Sequence, residues 1–87
     1  MSFEASDTEK KILSILKALN NCQRPMGSQR ISEHLNTNGE ALSAGTVRHH
    51  LVLMDIRGLT KLIRNREGRT ITDKGRSELE KASARQI

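Results

Sequence analysis

The sequence predicts a mainly α-helical fold with one small β-hairpin. Apolar residues recur at helical spacing in three segments before Gly58, two runs containing β-branched residues flank a turn that ends at Gly68, and a fourth helical segment follows Thr72. The 87 residues suffice for one small domain with a thin core. We expect this domain to span residues 7–83, between a flexible N-terminus (1–6) and a flexible tail (84–87).

The first predicted helix runs from about Asp7 to Asn20. Its start has the spacing of a capping box, in which Glu9 lies three residues after Ser6. Pro25 prevents continuation of the helix because proline lacks an amide hydrogen. The apolar positions that recur at helical spacing, and that we expect to face the core, are Ile12, Leu13, Ile15, Leu16 and Leu19.

The second predicted helix is short and follows an extended piece that begins at Pro25. Either Gly27 or Ser28 caps it, and residues 36–39 end it because Asn and Gly tolerate the left-handed conformation. Ile31 and Leu35 are its inward residues. We also expect Leu42, in the connection to the next helix, to point toward the core.

The third predicted helix runs from about Ala44 to Arg57, with Ser43 as its N-cap and Gly58 closing it. At 100° per residue, the inward face comprises Val47, His50, Leu51 and Met54. The opposite face comprises Gly45, His49, Val52 and Ile56, with Thr46 and Arg48 on the flanks.

The predicted hairpin pairs residues 59–64 with residues 69–72 across a turn at 65–68. Its alternation is imperfect, because Leu62 and Ile63 are adjacent and cannot both face inward. Thr72 or Asp73 then caps a fourth helix, from about Lys74 to Ser83. Its inward residues are Leu79 and Ala82.

The net charge of +5 is concentrated in residues 57–76, which we call the basic segment. It holds seven basic and two acidic residues, whereas residues 1–56 hold six of each and residues 77–87 hold two of each. A concentrated positive field attracts polyanions and speeds their encounter with the protein. The charge distribution therefore favours a nucleic-acid partner.

The element order is that of a winged helix-turn-helix domain, with a three-helix core, a basic hairpin as the wing and a C-terminal helix. The third helix is then the recognition helix in the major groove of double-stranded DNA. Arginine can pair with guanine there, and valine can contact a thymine methyl group. We predict that the base-reading residues are Thr46, Arg48, His49 and Val52. Ile56 is expected to pack under the wing or against a partner.

The remaining predicted contacts are to the DNA backbone. Free N–H groups at the starts of the second and third helices can bind phosphates, and the arginines of the wing can follow the backbone or enter the minor groove. The residues predicted for these contacts are Ser28, Gln29, Ser43, Gly45, Lys61, Arg64, Arg66, Arg69 and Lys74.

Three stretches of the chain resemble a known family. They are residues 24–35, which begin Arg-Pro-Met-Gly, residues 46–51, which read Thr-Val-Arg-His-His-Leu, and residues 68–75, which read Gly-Arg-Thr-Ile-Thr-Asp-Lys-Gly. They resemble the N-terminal winged-helix domain of archaeal nitrogen-regulation repressors, the NrpR family, which is grouped with the winged helix of ribonuclease R. The resemblance covers about residues 10–82. It implies operator binding by a dimeric repressor.

The family's effector-sensing domains lie beyond the region of resemblance. A small-molecule effector is therefore expected only if larger domains exist in the natural protein. The connection at residues 36–43 is also longer than the roughly three- to four-residue turn of a compact helix-turn-helix. The resembling family shares this longer connection.

Two alternatives from other functional classes remain. One is an RNA-binding accessory winged helix of a ribonuclease R-like system. Phe3 is the only aromatic residue, which argues against binding of single-stranded RNA by stacking but not against recognition of an RNA duplex by its shape. A protein-interaction winged helix that uses Val52 and Ile56 is the other.

The sequence gives little support to catalysis or cofactor binding. Cys22, His34, His49 and His50 lack the spacing of a zinc site, and nothing places a base beside a nucleophile. We therefore expect no enzyme activity, no metal and no cofactor. No signal peptide or membrane-spanning run is apparent, and a single cysteine fits a reducing compartment, so we expect a cytoplasmic protein.

Overall fold

The computed structural model describes residues 7–22, 24–64 and 68–85, and it confirms the mainly helical fold with one hairpin. Residues 1–6 of the predicted N-terminus, including the Ser6 cap, lie outside the described residues. The elements in chain order are α1 (Asp7–Cys22), α2 (Ser28–Thr37), α3 (Ala44–Ile56), β1 (Thr60–Arg64), β2 (Gly68–Ile71) and α4 (Asp73–Arg85).

The core forms where α1 packs against the other helices and β2. Its apolar side chains come from every helix except α4, and from the hairpin. Leu42 and Leu79 are half-buried against it, as predicted. The buried apolar residues are Ile12, Ile15, Leu16, Ala18, Leu19, Met26, Ile31, Leu35, Val47, Leu51, Met54, Leu59 and Ile71.

The ends of α3 follow the chemistry that the sequence predicts. The Ser43 hydroxyl oxygen accepts the Thr46 N–H at 3.2 Å, which gives an acceptor to one of the N–H donors that a helix start leaves unpaired. At the other end Arg57 is the C-cap and Gly58 has a φ of 76°. The Gly58 N–H donates to the Asp55 carbonyl, and the following N–H donates to the Met54 carbonyl. This is a Schellman motif, which requires the left-handed glycine.

The hairpin is antiparallel and contains an irregularity between Leu62 and Arg64. Leu62 pairs with Arg69 and Arg64 pairs with Gly68, so Ile63 is the extra residue of a bulge. The bulge resolves the imperfect alternation in the sequence. Leu62 and Ile63 are 45% and 41% exposed, so neither belongs to the core.

A third extended piece joins the hairpin at Met26. Its N–H donates to the Arg69 carbonyl at 2.9 Å, and the Arg69 N–H donates to the Met26 carbonyl at the same distance. Gly68 makes this approach possible, since its φ is 93° and a Cβ there would lie 2.2 Å from the Met26 carbonyl carbon. The pairing fixes the start of α2 beside β2.

Thr72 connects the hairpin to α4. Its hydroxyl lies 2.7 Å from the Gly58 carbonyl oxygen and accepts the Gly75 N–H at 3.0 Å. Thr72 is therefore the N-cap, and Asp73 is the first helical residue. The helix continues through Arg85, two residues beyond the predicted end at Ser83.

Candidate nucleic-acid interface

The helix α3 has one buried face and one exposed face, divided as its periodicity predicts. Val47, His50, Leu51 and Met54 are all buried. On the other side Arg48 and His49 are exposed, and Val52 is 45% exposed. Three of the four predicted base-reading residues therefore lie together on an accessible helical surface.

The fourth predicted base-reading residue, Thr46, is half-buried at the start of α3. Its hydroxyl oxygen lies 3.0 Å from the Ser43 hydroxyl, and its carbonyl oxygen lies 2.7 Å from His50 Nδ1. Both Thr46 and Ser43 thus take part in the local structure of the helix start. Gly45 between them is exposed, and a Cβ there would have only the Ser43 hydroxyl oxygen nearby, at 4.0 Å.

His50 is 7% exposed, and its bond to the Thr46 carbonyl oxygen gives it a structural role on the core-facing side. The ring of His49 meets it edge-on, with the two centroids 5.6 Å apart. This confirms the division between an inward His50 and an outward His49. The edge-on contact also restricts where the His49 imidazole can point.

Two positions were expected for Ile56, under the hairpin or against a partner. Its side chain is 78% exposed, so the first of these expectations is wrong, and the second stays a prediction. The reason is that residues of the hairpin approach α3 through Asp55, one position earlier and about 100° away around the helix. Ile56 and Val52 together form an exposed apolar pair one turn apart.

The start of α2 contributes cations that the sequence analysis did not include. Arg24, Gln29 and Arg30 line an open depression of about 680 Å³ beside Met26 and Gly27. Gly27 occupies the N-cap position, but glycine has no side chain that could accept a hydrogen bond from the helix start. Backbone N–H groups of the first turn therefore remain available. Ser28, the first helical residue, is half-buried. The signal in the sequence was the pair of arginines that flanks this helix start.

The hairpin presents Lys61 as an exposed residue of β1. Arg64 is the last residue of this strand, and its side chain lies outside the described part of the structure. Arg66 belongs to residues 65–67, which also lie outside the described residues. The structure therefore neither supports nor opposes the predicted contacts of these two arginines.

Arg69, in β2, is paired within the chain. Its Nε donates to Asp55 Oδ2 at 2.8 Å, and its side chain is only 16% exposed. The predicted phosphate contact of Arg69 would have to compete with this ion pair.

The basic segment is consequently not one continuous surface. Arg57 pairs with Glu9 at 3.0 Å, and Arg76 pairs with Asp73 at 2.8 Å. The exposed Lys74 lines a groove with Arg57 and Glu9, between α1 and α4. Among the side chains of the segment that the structure describes, the unpaired positive charges are those of Lys61 and Lys74.

The described residues also lack two features. They contain no group of His, Cys, Asp and Glu side chains that could hold a metal ion. None of their helices has the length and apolar character needed to cross a membrane.

Comparison with known proteins gives a family and three regulators. The ribonuclease R winged-helix domain matches residues 13–79. A global nitrogen regulator NrpR from Methanocaldococcus jannaschii is 38% identical over 78 residues, which is 90% of this chain and 14% of that protein. A global nitrogen regulator NrpRI from Methanosarcina mazei is 34% identical over 74 residues, which is 85% of this chain and 23% of that protein.

The third regulator, NrpR from Methanococcus maripaludis, is 38% identical over 71 residues, which is 82% of this chain and 13% of that protein. The chain thus spans less than a quarter of the length of each of these relatives. No solved structure matches it.

Proposed function

The chain belongs to the ribonuclease R winged-helix domain family, and from this we propose that it binds double-stranded DNA as part of a transcriptional regulator. Its similarity to global nitrogen regulators supports a regulatory role, and the resemblance of its sequence to the NrpR family implies a repressor. It acts in the cytoplasm, without catalysis and without a cofactor. An effector would act through further domains.

The observation that carries this proposal is the exposed face of α3. Arg48 and His49 project from a helix whose opposite side is fully occupied by core packing, and Arg48 has no ion-pair partner among the described residues. The core packing fixes the buried face of this helix, and the exposed face carries cationic and hydrogen-bonding groups. A helix of this kind can enter a major groove. Val52, one turn after Arg48, adds a methyl-bearing surface suited to thymine.

The phosphate contacts come from three places around α3. The N–H groups at the start of α3, near Gly45, form one, and the start of α2 with Gln29 and Arg30 forms another. The third is the hairpin, through Lys61, Arg64 and Arg66. Lys74 makes no such contact in this proposal, because it faces the groove between α1 and α4.

A homodimer completes the proposal, since winged helices of this kind commonly bind paired half-sites. The surface offered for it is a second groove between α1 and α4, distinct from the one that Lys74 lines. Leu13, Leu79 and Ala82 are half-buried in this second groove. Sedimentation equilibrium tests this part alone. A monomer at all concentrations would remove the dimer without affecting DNA binding.

The main experiment is fluorescence anisotropy with labelled duplex DNA across a salt series. Each phosphate neutralised contributes about −0.9 to the slope of log affinity against log salt, so five contacts give roughly −4.5. Lys61→Ala should reduce the slope by about one contact. Lys81→Ala is the matched control, because Lys81 is an exposed lysine on α4 beside Glu78.

Two other outcomes would reassign the domain. Tighter binding of single-stranded RNA than of duplex DNA would favour an RNA-binding module, as the ribonuclease R family name makes possible. Absence of binding to both at low salt would favour a protein partner for the exposed Val52 and Ile56 pair.

A further inference from the structure

Asp55 is the point at which the exposed helix and the hairpin are joined by side chains. Each of its carboxylate oxygens accepts a hydrogen bond from the hairpin. Oδ1 accepts from the Thr60 hydroxyl at 2.6 Å, and Oδ2 accepts from Arg69 Nε at 2.8 Å. One carboxylate on α3 thereby holds both strands.

This ion pair is more buried than the others in the described residues. The side chains of Arg69 and Asp55 are 16% and 30% exposed, whereas those of every other described pair are more than 40% exposed. A charge that is partly removed from water depends strongly on its partner, because loss of the partner leaves it desolvated and unpaired. The pair therefore constrains geometry in a way that surface pairs do not.

The backbone of Arg69 extends the connection to a third element. Its N–H and carbonyl groups pair with Met26, directly before the start of α2. Residue 69 thus connects three elements: the segment before α2 through its backbone, the last turn of α3 through Asp55, and the hairpin to which it belongs.

We propose that Arg69 and Asp55 are positioning residues for DNA binding, which fix the hairpin at the distance and angle from α3 that one duplex requires. This inference rests on the proposed function. It assigns Arg69 a role different from direct contact with a phosphate. The hairpin cations Lys61, Arg64 and Arg66 then contact the backbone only while the Asp55 pair is intact.

The two roles predict opposite effects of removing Asp55. If Arg69 binds a phosphate directly, Asp55→Ala releases the guanidinium and removes a nearby negative charge, so DNA affinity rises or stays the same. If the pair positions the hairpin, Asp55→Ala weakens binding as Arg69→Ala does. The double variant is then no weaker than either single variant, because both break the same connection.

The test is a double-mutant cycle on duplex DNA affinity at fixed salt. We expect each single variant to weaken binding on the order of tenfold and the double variant also on the order of tenfold, whereas independent effects would multiply to about a hundredfold. Asp73→Ala and Arg76→Ala form the matched cycle, since these residues are an exposed ion pair in the same basic segment. That cycle should show no coupling.

Two variants with side chains similar to the original ones test whether the loss of affinity comes from simple unfolding. Asp55→Asn retains an oxygen that can accept the Thr60 hydroxyl but loses the charge, and Arg69→Lys retains the charge. We expect Arg69→Lys to recover part of the lost affinity. Amide hydrogen exchange at Met26 and Arg69 should accelerate in the alanine variants while exchange in α1 is unchanged.

The outcomes separate this inference from the proposed function. If the wild-type chain binds no duplex DNA, the proposed function fails, and amide exchange alone then decides whether the pair fixes the hairpin. If the wild type binds, and Asp55→Ala binds as tightly as Asp73→Ala, the positioning role is overturned. Additive losses in the Asp55 and Arg69 cycle would overturn it as well.

Discussion

Gly75 lies in the first turn of α4, at a position where alanine would ordinarily stabilise the helix. Alanine is favoured over glycine in a helix by about 1 kcal/mol, because glycine loses more backbone entropy on folding. Here, however, α4 begins directly against the end of the hairpin. A Cβ on residue 75 would lie 2.3 Å from the Leu59 carbonyl oxygen and 2.8 Å from Ile71 Cγ1.

The loss of stability in Gly75→Ala depends on which of these close contacts can be relieved by a small movement. The Ile71 side chain can adjust, but the Leu59 oxygen is backbone and also accepts the Thr72 N–H. The first turn of α4 must therefore move away from the core. Overpacking of this kind costs about 1–3 kcal/mol and occasionally more, which exceeds the gain in helix propensity. We expect Gly75→Ala to destabilise the domain by about 2 kcal/mol, a fall in Tm of roughly 8–16 °C for a domain of this size.

The assay is thermal unfolding followed by circular dichroism, with Gly45→Ala as the control. Gly45 also lies in the first turn of a helix, but a Cβ there meets open space, so this variant should gain up to about 1 kcal/mol. The same substitution thus has opposite signs at the two glycines. A Tm for Gly75→Ala at or above that of the wild type would refute the close packing of α4 against the hairpin.

Three further predictions concern other single residues. Gly68→Ala should lower the free energy of unfolding, measured by urea denaturation, by about 2–3 kcal/mol, because a positive φ and a clash with the Met26 backbone act together. A loss below about 1 kcal/mol would contradict the close approach of Met26 to β2. Ser43→Ala should cost about 1 kcal/mol, because the Thr46 N–H loses its acceptor, and an unchanged unfolding midpoint would show that the cap is not needed. Val52→Ala should alter base preference in a selection from random duplexes while leaving Tm within about 2 °C of the wild type, since Val52 is 45% exposed; an unchanged preference would remove it from the base-reading set.

The local elements of this fold could be predicted because each is encoded by neighbouring residues. The α3 helix shows this best, since Ser43 begins it, Gly58 ends it, and a 3.6-residue period divides its faces. The bulge at Ile63 was signalled as a conflict in the alternation, although its resolution required the pairing register. The bond between Met26 and Arg69 joins residues far apart in the chain, and no local pattern encodes it.

The candidate site was predictable on α3 and less so elsewhere. Helical periodicity identifies which residues of a helix face outward, so Arg48 and His49 were placed without the fold. The expectation that Ile56 packs under the hairpin was wrong, because the position of the hairpin around the helix axis depends on tertiary contacts made by Asp55. Arg24 and Arg30 were not included, although both flank the start of α2 in the sequence and line one depression there.

Charge density along a sequence and charge density on a surface are different quantities, and the basic segment shows why. Its excess of five positive charges comes from seven basic residues, but the fold pairs Arg57, Arg69 and Arg76 with carboxylates, and two of those carboxylates come from outside the segment. A paired arginine adds little to the field that a distant phosphate experiences, because its partner cancels the charge within a few ångströms. On the proposed function, the cations available to attract DNA are therefore a smaller set, drawn from the starts of helices and from the hairpin. On the positioning role proposed for Arg69, its contribution to binding comes from the geometry that its ion pair maintains more than from its charge.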